Sequence, residues 1–135
     1  MFQESTIRNA YIEADRQFLT MQCPPHGSLR FNLDDGEALG EDWNPVKVSC
    51  MNWIQDNWEG LWPVVEGQLN NMVTNYAYGE KSLRPHLTNP RNSLIIRPID
   101  QTQWAISLEI QLEHGGHAFC IDLDGDTVID YQAVY

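Results

Sequence analysis

The sequence predicts an α+β fold in a single domain that spans residues 1–135. Apolar residues recur at helical spacing near the N-terminus and through the centre of the chain, whereas the last third has a period of two. Helical and strand patterns are therefore largely segregated, which is typical of α+β proteins. A length of 135 residues is that of one domain, and a hydrophobic content of 42% supplies a core.

An N-terminal helix and a strand begin the predicted architecture. In residues 5–22 the apolar side chains follow one another at steps of three and four, which predicts an amphipathic helix. Pro24 and Pro25 end it, because proline disfavours helical geometry in the residue before it. Residues 28–33 alternate between apolar and polar, so we expect a half-buried strand there, followed by an acidic loop.

Central helices are expected over residues 45–79. Two apolar stripes at helical spacing lie on either side of Pro63, which either kinks one helix or occupies the first turn of a second. Gly79 is well placed to cap the C-terminal end. A loop with several prolines and asparagines follows over residues 80–92.

A C-terminal antiparallel β-meander completes the predicted fold. The strands are expected over residues 94–96, 104–112, 118–123 and 127–134. In the second of these, strict alternation places Trp104 among the inward-facing side chains. The pair Asp124-Gly125 between the last two strands is typical of a tight hairpin turn.

Negative charge excludes several classes of partner. The chain has 8 Lys+Arg and 19 Asp+Glu, which gives a formal net charge of −11. Phosphate backbones and anionic lipids repel such a chain, so we expect no nucleic-acid and no membrane partner. Residues 34–66 hold eight acidic residues and one basic residue, hence −7 of the −11, together with four of the five tryptophans.

This acidic, tryptophan-bearing segment is the candidate surface for a basic protein partner. An aromatic anchor surrounded by polar groups is the composition of a binding hot spot, and negative charge steers basic partners toward it. The candidate partner-binding residues are Asp34, Asp35, Glu37, Glu41, Asp42, Trp43, Asp56 and Glu59. The alternative is a solvated acidic face that maintains solubility.

The ends of the chain and its cysteines predict a cytoplasmic protein without a cofactor. The N-terminus lacks the basic and apolar regions of a signal peptide, and no apolar run is long enough to span a membrane. Three cysteines without a CxxC motif are expected to be reduced. The set His114, His117 and Cys120 lacks an evident fourth ligand, so we expect no metal site. The sequence does not indicate an oligomeric state.

The chain from residue 45 onward resembles small acidic bacterial proteins of the immunity or uncharacterised-domain type. The resemblance comprises the aromatic pair in Asn75-Tyr-Ala-Tyr78, a loop with proline and asparagine, the turn that begins Glu113-His114, and the Asp-Gly hairpin. It implies a non-catalytic protein that neutralises a toxin or another partner by binding it.

An alternative resemblance points to a thiol enzyme. Residues 116–130 resemble the His-to-Asp hairpin of papain-like and transglutaminase-like enzymes, in which a cysteine at a helix start precedes a histidine on a strand. This implies a cysteine hydrolase or acyltransferase in which Cys50 attacks an acyl carbon, His117 is the base and Asp130 holds the tautomer of the histidine. The two function classes, binding protein and thiol enzyme, both stay open on the sequence.

Overall fold

A six-stranded mixed sheet packed against one long helix forms the architecture of the protein. The computed structural model describes residues 2–6, 18–32, 44–76, 84–99, 103–113 and 116–134. The strands are β1 (Phe18–Gln22), β2 (Ser28–Asn32), β3 (Ser93–Pro98), β4 (Trp104–Gln111), β5 (Ala118–Asp124) and β6 (Thr127–Val134). Helix α1 (Asn44–Tyr76) separates β2 from β3 in the sequence. This arrangement confirms the predicted α+β class.

The order of the strands in the sheet follows their order in the chain, from β1 to β6. All neighbouring strands are antiparallel except β2 and β3, which run parallel. Parallel neighbours require a crossover connection, and the segment that contains α1 provides it. The C-terminal antiparallel meander is confirmed, and its last hairpin turns at Gly125, whose φ of 58° favours glycine.

Helix α1 continues through Pro63 as one element of 33 residues. Its apolar stripe buries Met51, Ile54, Trp58, Leu61, Val65, Leu69 and Met72. An internal proline costs about 3 kcal/mol, whereas burial of Leu61 and Val65 on either side of it contributes about 1.5–3 kcal/mol each. Packing against the sheet therefore outweighs the cost of Pro63. Within the described residues, no helix has both the length and the apolarity that a membrane crossing requires.

One face of the sheet forms the core together with this stripe. The alternate residues of β2 to β5 that are buried in it are Leu29, Phe31, Leu94, Ile96, Ile106, Leu108, Ile110, Phe119, Ile121 and Leu123. Successive strand residues point to opposite faces, so their neighbours in sequence lie on the other face of the sheet. Trp104 is only half-buried and packs at the margin of the core.

The predicted N-terminal helix does not extend to residue 22. Residues 4–6 are helical, but Phe18–Gln22 form β1, and residues 7–17 lie outside the described residues. Strand β1 pairs antiparallel with β2 from Phe18 opposite Asn32 to Gln22 opposite Ser28. The spacing of apolar residues cannot reveal this pairing, because strand formation depends on a neighbouring strand more than on local preference.

Two tryptophans of α1 anchor the loop between β1 and β2. The Trp58 indole N–H donates to the Pro24 carbonyl oxygen at 2.9 Å. The fully buried His26 ring lies edge-on to two indoles, with centroids 5.3 Å from Trp58 and 4.8 Å from Trp62. Neither ring nitrogen of His26 has a hydrogen-bond partner among the described residues. Burial lowers the pKa of His26 to about 4, so the loop packs with a neutral imidazole.

Acid is expected to destabilise the protein through His26. The pKa of His26 is about 4 in the fold and about 6.5 in the unfolded chain, so the unfolded chain binds the extra proton between these values. The stabilising contribution is complete above pH 6.5 and is lost as the pH falls toward 4. The free energy of unfolding, measured by urea titration, should decrease by up to about 1.4 kcal/mol per pH unit from this group.

The variant His26→Phe keeps an aromatic ring between the two tryptophans and removes the titrating group. Its free energy of unfolding should depend less on pH between 6.5 and 5 than that of the wild type. If the free energy of unfolding depends equally on pH in the two proteins in this range, protonation of His26 does not cause the loss of stability in acid.

Candidate functional site

The tryptophans of the acidic segment have different environments. Trp58 is buried in the core, and Trp62 packs against His26. Trp53 is half-buried on the flank of α1, packs against the core and lines a surface cleft. Trp43 lies outside the described residues. Of the tryptophans in this segment that the structure describes, Trp53 is therefore the one placed to contact a ligand in that cleft.

An aromatic pair lines this cleft. The rings of Trp53 and Trp104 have centroids 5.3 Å apart, and their planes are inclined by 56°. The cleft encloses about 500 Å³, and its other described lining residues are Ile99, Gln103, Asp124, Gly125 and Asp126. This volume is in the range of sites that take small molecules or single side chains.

Three elements, together with Ile99 and Gln103 from the connection between β3 and β4, build the cleft. Helix α1 supplies Trp53, β4 supplies Trp104 as its first residue, and the hairpin between β5 and β6 supplies the carboxylates. Strands β4 and β5 pair with Ile106 opposite Leu123. Trp104 comes two residues before Ile106, so the antiparallel register places it level with the turn at Gly125.

The electrostatics of the cleft favour a cation. Asp124 and Asp126 are exposed at its edge, and none of its described lining residues is basic. A cation over an indole face gains about 0.5–2 kcal/mol. Two carboxylates add Coulomb attraction, which is about 1 kcal/mol at 4 Å in bulk water and larger near a protein surface. The arrangement therefore suits an ammonium or guanidinium group on an apolar stem.

The predicted partner-binding residues on α1 are exposed. Asp56 and Glu59 lie on the solvent side of the helix, as does Glu66. Lys47 is the only basic residue of α1, and it is buried. Because residues three apart are neighbours on a helix, Asp56 lies close to Trp53. The other six predicted positions lie outside the described residues: Asp34, Asp35, Glu37, Glu41, Asp42 and Trp43.

The predicted nucleophile of the thiol-enzyme alternative lies in the core. Cys50 is fully buried nearly two turns into α1, away from its N-terminus. Burial raises the pKa of the Cys50 thiol far above its ordinary value, so the thiol stays protonated. A nucleophilic cysteine requires the opposite shift. His117 is half-buried and lies immediately before β5.

Asp130 lies on the other face of the sheet from Cys50. It is exposed and pairs with Asp122 across β5 and β6. The flanking residues Ile121 and Leu123 point into the core that contains Cys50, so Asp122 and Asp130 point away from it. The sheet thus separates the predicted nucleophile from the predicted orienting carboxylate, and this arrangement does not favour the thiol-enzyme alternative.

Among the described residues, no group of three or more His, Cys, Asp or Glu side chains is arranged to hold a metal ion. His114, one of the three residues considered from the sequence, lies outside the described residues.

Sequence reasoning missed Trp104 and the hairpin carboxylates as site residues. The alternation of β4 predicts an inward-facing Trp104, and the pair Asp124-Gly125 indicates only a hairpin turn. The signal present in the sequence is a tryptophan at the start of a strand and two aspartates around a hairpin glycine. Only the register of β4 against β5 places these features side by side.

Compared with protein families, with curated proteins and with solved structures, the chain matches none.

The burial of the three cysteines predicts their order of reaction with iodoacetamide. Cys120 is half-buried, whereas Cys23 and Cys50 are fully buried. Burial raises the pKa of Cys120 to about 11, with Glu109 and Asp122 adding to the effect, and burial raises the pKa of Cys23 to about 12. We expect slow labelling of Cys120 first, and labelling of the other two only on unfolding, as measured by peptide mass spectrometry.

Rapid labelling of Cys50 in the native protein, at a pH below the pKa of an ordinary thiol, would contradict this order. It would also restore the thiol-enzyme alternative, since fast alkylation at low pH requires a thiolate.

Proposed function

We propose that this protein is a non-catalytic binding protein that neutralises a basic protein partner, in the manner of an immunity protein or inhibitor. The observation that carries the proposal is the cleft of Trp53 and Trp104 with Asp124 and Asp126 at its edge. In this proposal the cleft receives a lysine or arginine side chain of the partner.

The cleft has apolar surface for the stem of such a side chain, and an indole face and carboxylates for its charged head. The methylene stem of lysine or arginine packs on apolar surface, which Ile99 and the two indoles provide. The charged head then lies over an indole face and beside the carboxylates. Arginine and tryptophan are the residues most enriched at binding hot spots, where a desolvated anchor fills a pocket.

The exposed face of α1 supports the proposal at longer range. Asp56, Glu59 and Glu66 are exposed there, while the one lysine of the helix is buried. Together with a net charge of −11, this face attracts a basic partner before contact and raises the association rate. Salt screens such attraction over about 8–10 Å, so association should slow as ionic strength rises.

Removal of the cleft carboxylates should weaken binding of a basic peptide. We expect the double variant Asp124→Asn/Asp126→Asn to bind a nona-arginine peptide about tenfold more weakly than the wild type, because it loses two charges at the cleft. Trp104→Ala should lose about 0.5–2 kcal/mol through the missing aromatic face. Isothermal titration calorimetry at low ionic strength measures both changes.

A matched control separates the cleft from general acidity. Glu4→Gln/Glu113→Gln removes the same number of charges from exposed positions that lie outside both the cleft and α1. This control should change the affinity less than twofold. If the cleft and control variants lose affinity equally, the peptide recognises net charge and the cleft is not its site.

The acidic segment before α1 provides a second test. A variant with Asp34, Asp35, Glu41 and Asp42 all changed to lysine reverses four charges close to the start of the helix. Its association with nona-arginine should be slower and depend less on salt, because electrostatic steering weakens. Stopped-flow measurement of the association rate at several ionic strengths checks this, and an unchanged rate would remove the segment from the binding surface.

A further inference from the structure

Strand β6 forms one end of the sheet, so one of its edges has no neighbouring strand among the described elements. It is eight residues long, as long as the central strand β4. Edge strands of stable monomers are usually short, or carry lysine, proline or a β-bulge that hinders pairing with another chain. Strand β6 has neither lysine nor proline. Its register against β5 shifts once, between Asp122 and Leu123 near the hairpin, and the pairs from Asp122↔Asp130 to Ala118↔Val134 are regular.

Apolar side chains are exposed along this edge. Of the four large apolar side chains that are exposed among the described residues, three lie on β6: Ile129 at 58%, Tyr131 at 40% and Val134 at 43%. The fourth, Ile99, lines the tryptophan cleft. The exposed apolar surface thus lies mainly on the strand whose outer edge has no neighbouring strand among the described elements.

Carboxylates lie beside the same edge on the face that points away from the core. Asp130 is directly opposite Asp122, and Glu109 is opposite Cys120 on the neighbouring pair of strands. Like charges directly opposite each other destabilise a pair of strands. A cationic side chain next to Asp130 would offset that repulsion. The Tyr131 backbone N–H donates to the Asp130 carboxylate at 2.8 Å, which holds this carboxylate at the backbone of the edge strand.

We propose that β6 is a strand-addition site for an extended basic segment of the partner. The segment hydrogen-bonds to the free edge of β6, and its alternate lysine or arginine side chains lie beside Asp130 and Asp122. The other side chains of the segment pack near Tyr131. This inference rests on the proposed function, since it specifies which part of a basic partner this protein binds and in what conformation.

Two observations select a basic segment as the occupant. A second copy of this chain would bring together two molecules that each carry −11, whereas a basic segment is complementary to the carboxylates on the outward face. Strand β6 also begins at Thr127, directly after the hairpin that lines the tryptophan cleft. A strand added to β6 therefore ends next to the cleft, where one further basic side chain can bind.

The test uses an acetylated peptide of eight alternating lysines and valines, added to the full ¹⁵N-labelled protein. Main-chain hydrogen bonds contribute most to strand addition, and alternate side chains give it specificity. At ten times its Kd, the peptide should slow hydrogen exchange of the edge-facing amides of β6 about tenfold, because exchange then occurs only from the free fraction. The same peptide N-methylated at its four central residues keeps the charge and should give no protection.

Substitutions test the charge component of the site. Asp130→Asn should weaken binding of the lysine–valine peptide about two- to fivefold, as expected for an exposed ion pair. Glu4→Gln, which removes an exposed charge from a position outside β6, the cleft and α1, should change it less than Asp130→Asn does. Equal losses in the two variants would show that Asp130 has no special place in the site.

Other outcomes overturn the strand-addition site in distinguishable ways. If both peptides bind and shift only the indole signals of Trp53 and Trp104, the edge is not a site and the proposed function stands. If nona-arginine also fails to bind, the proposed function falls as well. Protection of β6 that rises with protein concentration in the absence of peptide would assign the edge to a second copy of this chain.

Discussion

Burial of the apolar stripe of α1 against one face of the sheet fixes the positions of the side chains on both flanks of the helix. At 100° per residue, the side chains next to the stripe of α1 point to either side of it. Trp53 lies about 100° to one side of Ile54, and Trp62 about 80° to the other. One flank therefore reaches Trp104 and forms the cleft, while the opposite flank holds the loop that contains His26.

The distribution of charge follows from the same packing. Two groups inside the fold that titrate, His26 and Cys50, are neutral because burial penalises their charged forms. The carboxylates of α1, of the last hairpin and of β6 are exposed instead. A protein arranged in this way has its charge available for association. The hairpin at Gly125 lines the cleft and leads directly into β6, so the two proposed contacts share this hairpin.

Local patterns predicted much of this fold and less of the site. The strands from β2 to β6 lie within two residues of their predicted bounds, because alternation reports which face of a strand is buried. The predicted N-terminal helix extends too far toward residue 22. Residues 18–22 instead pair with β2 as strand β1, and the spacing of apolar residues within one segment does not indicate such a pairing. The local effect of Pro63 is compatible with one kinked helix or with two helices. Because residues on both sides of Pro63 are buried against the sheet, α1 continues through it as one helix.

Composition and periodicity establish the α+β class, the net charge and the presence of tryptophan in an acidic segment, because they are properties of neighbours along the chain. Which tryptophan lies beside which carboxylate depends on long-range packing. Trp53 and Trp104 are 51 residues apart, and the hairpin at Gly125 lies a further 21 residues on. The proximity of Trp53, Trp104 and this hairpin depends on the register of β4 against β5 and on the rotation of α1 about its own axis over the sheet. Long-range packing sets both.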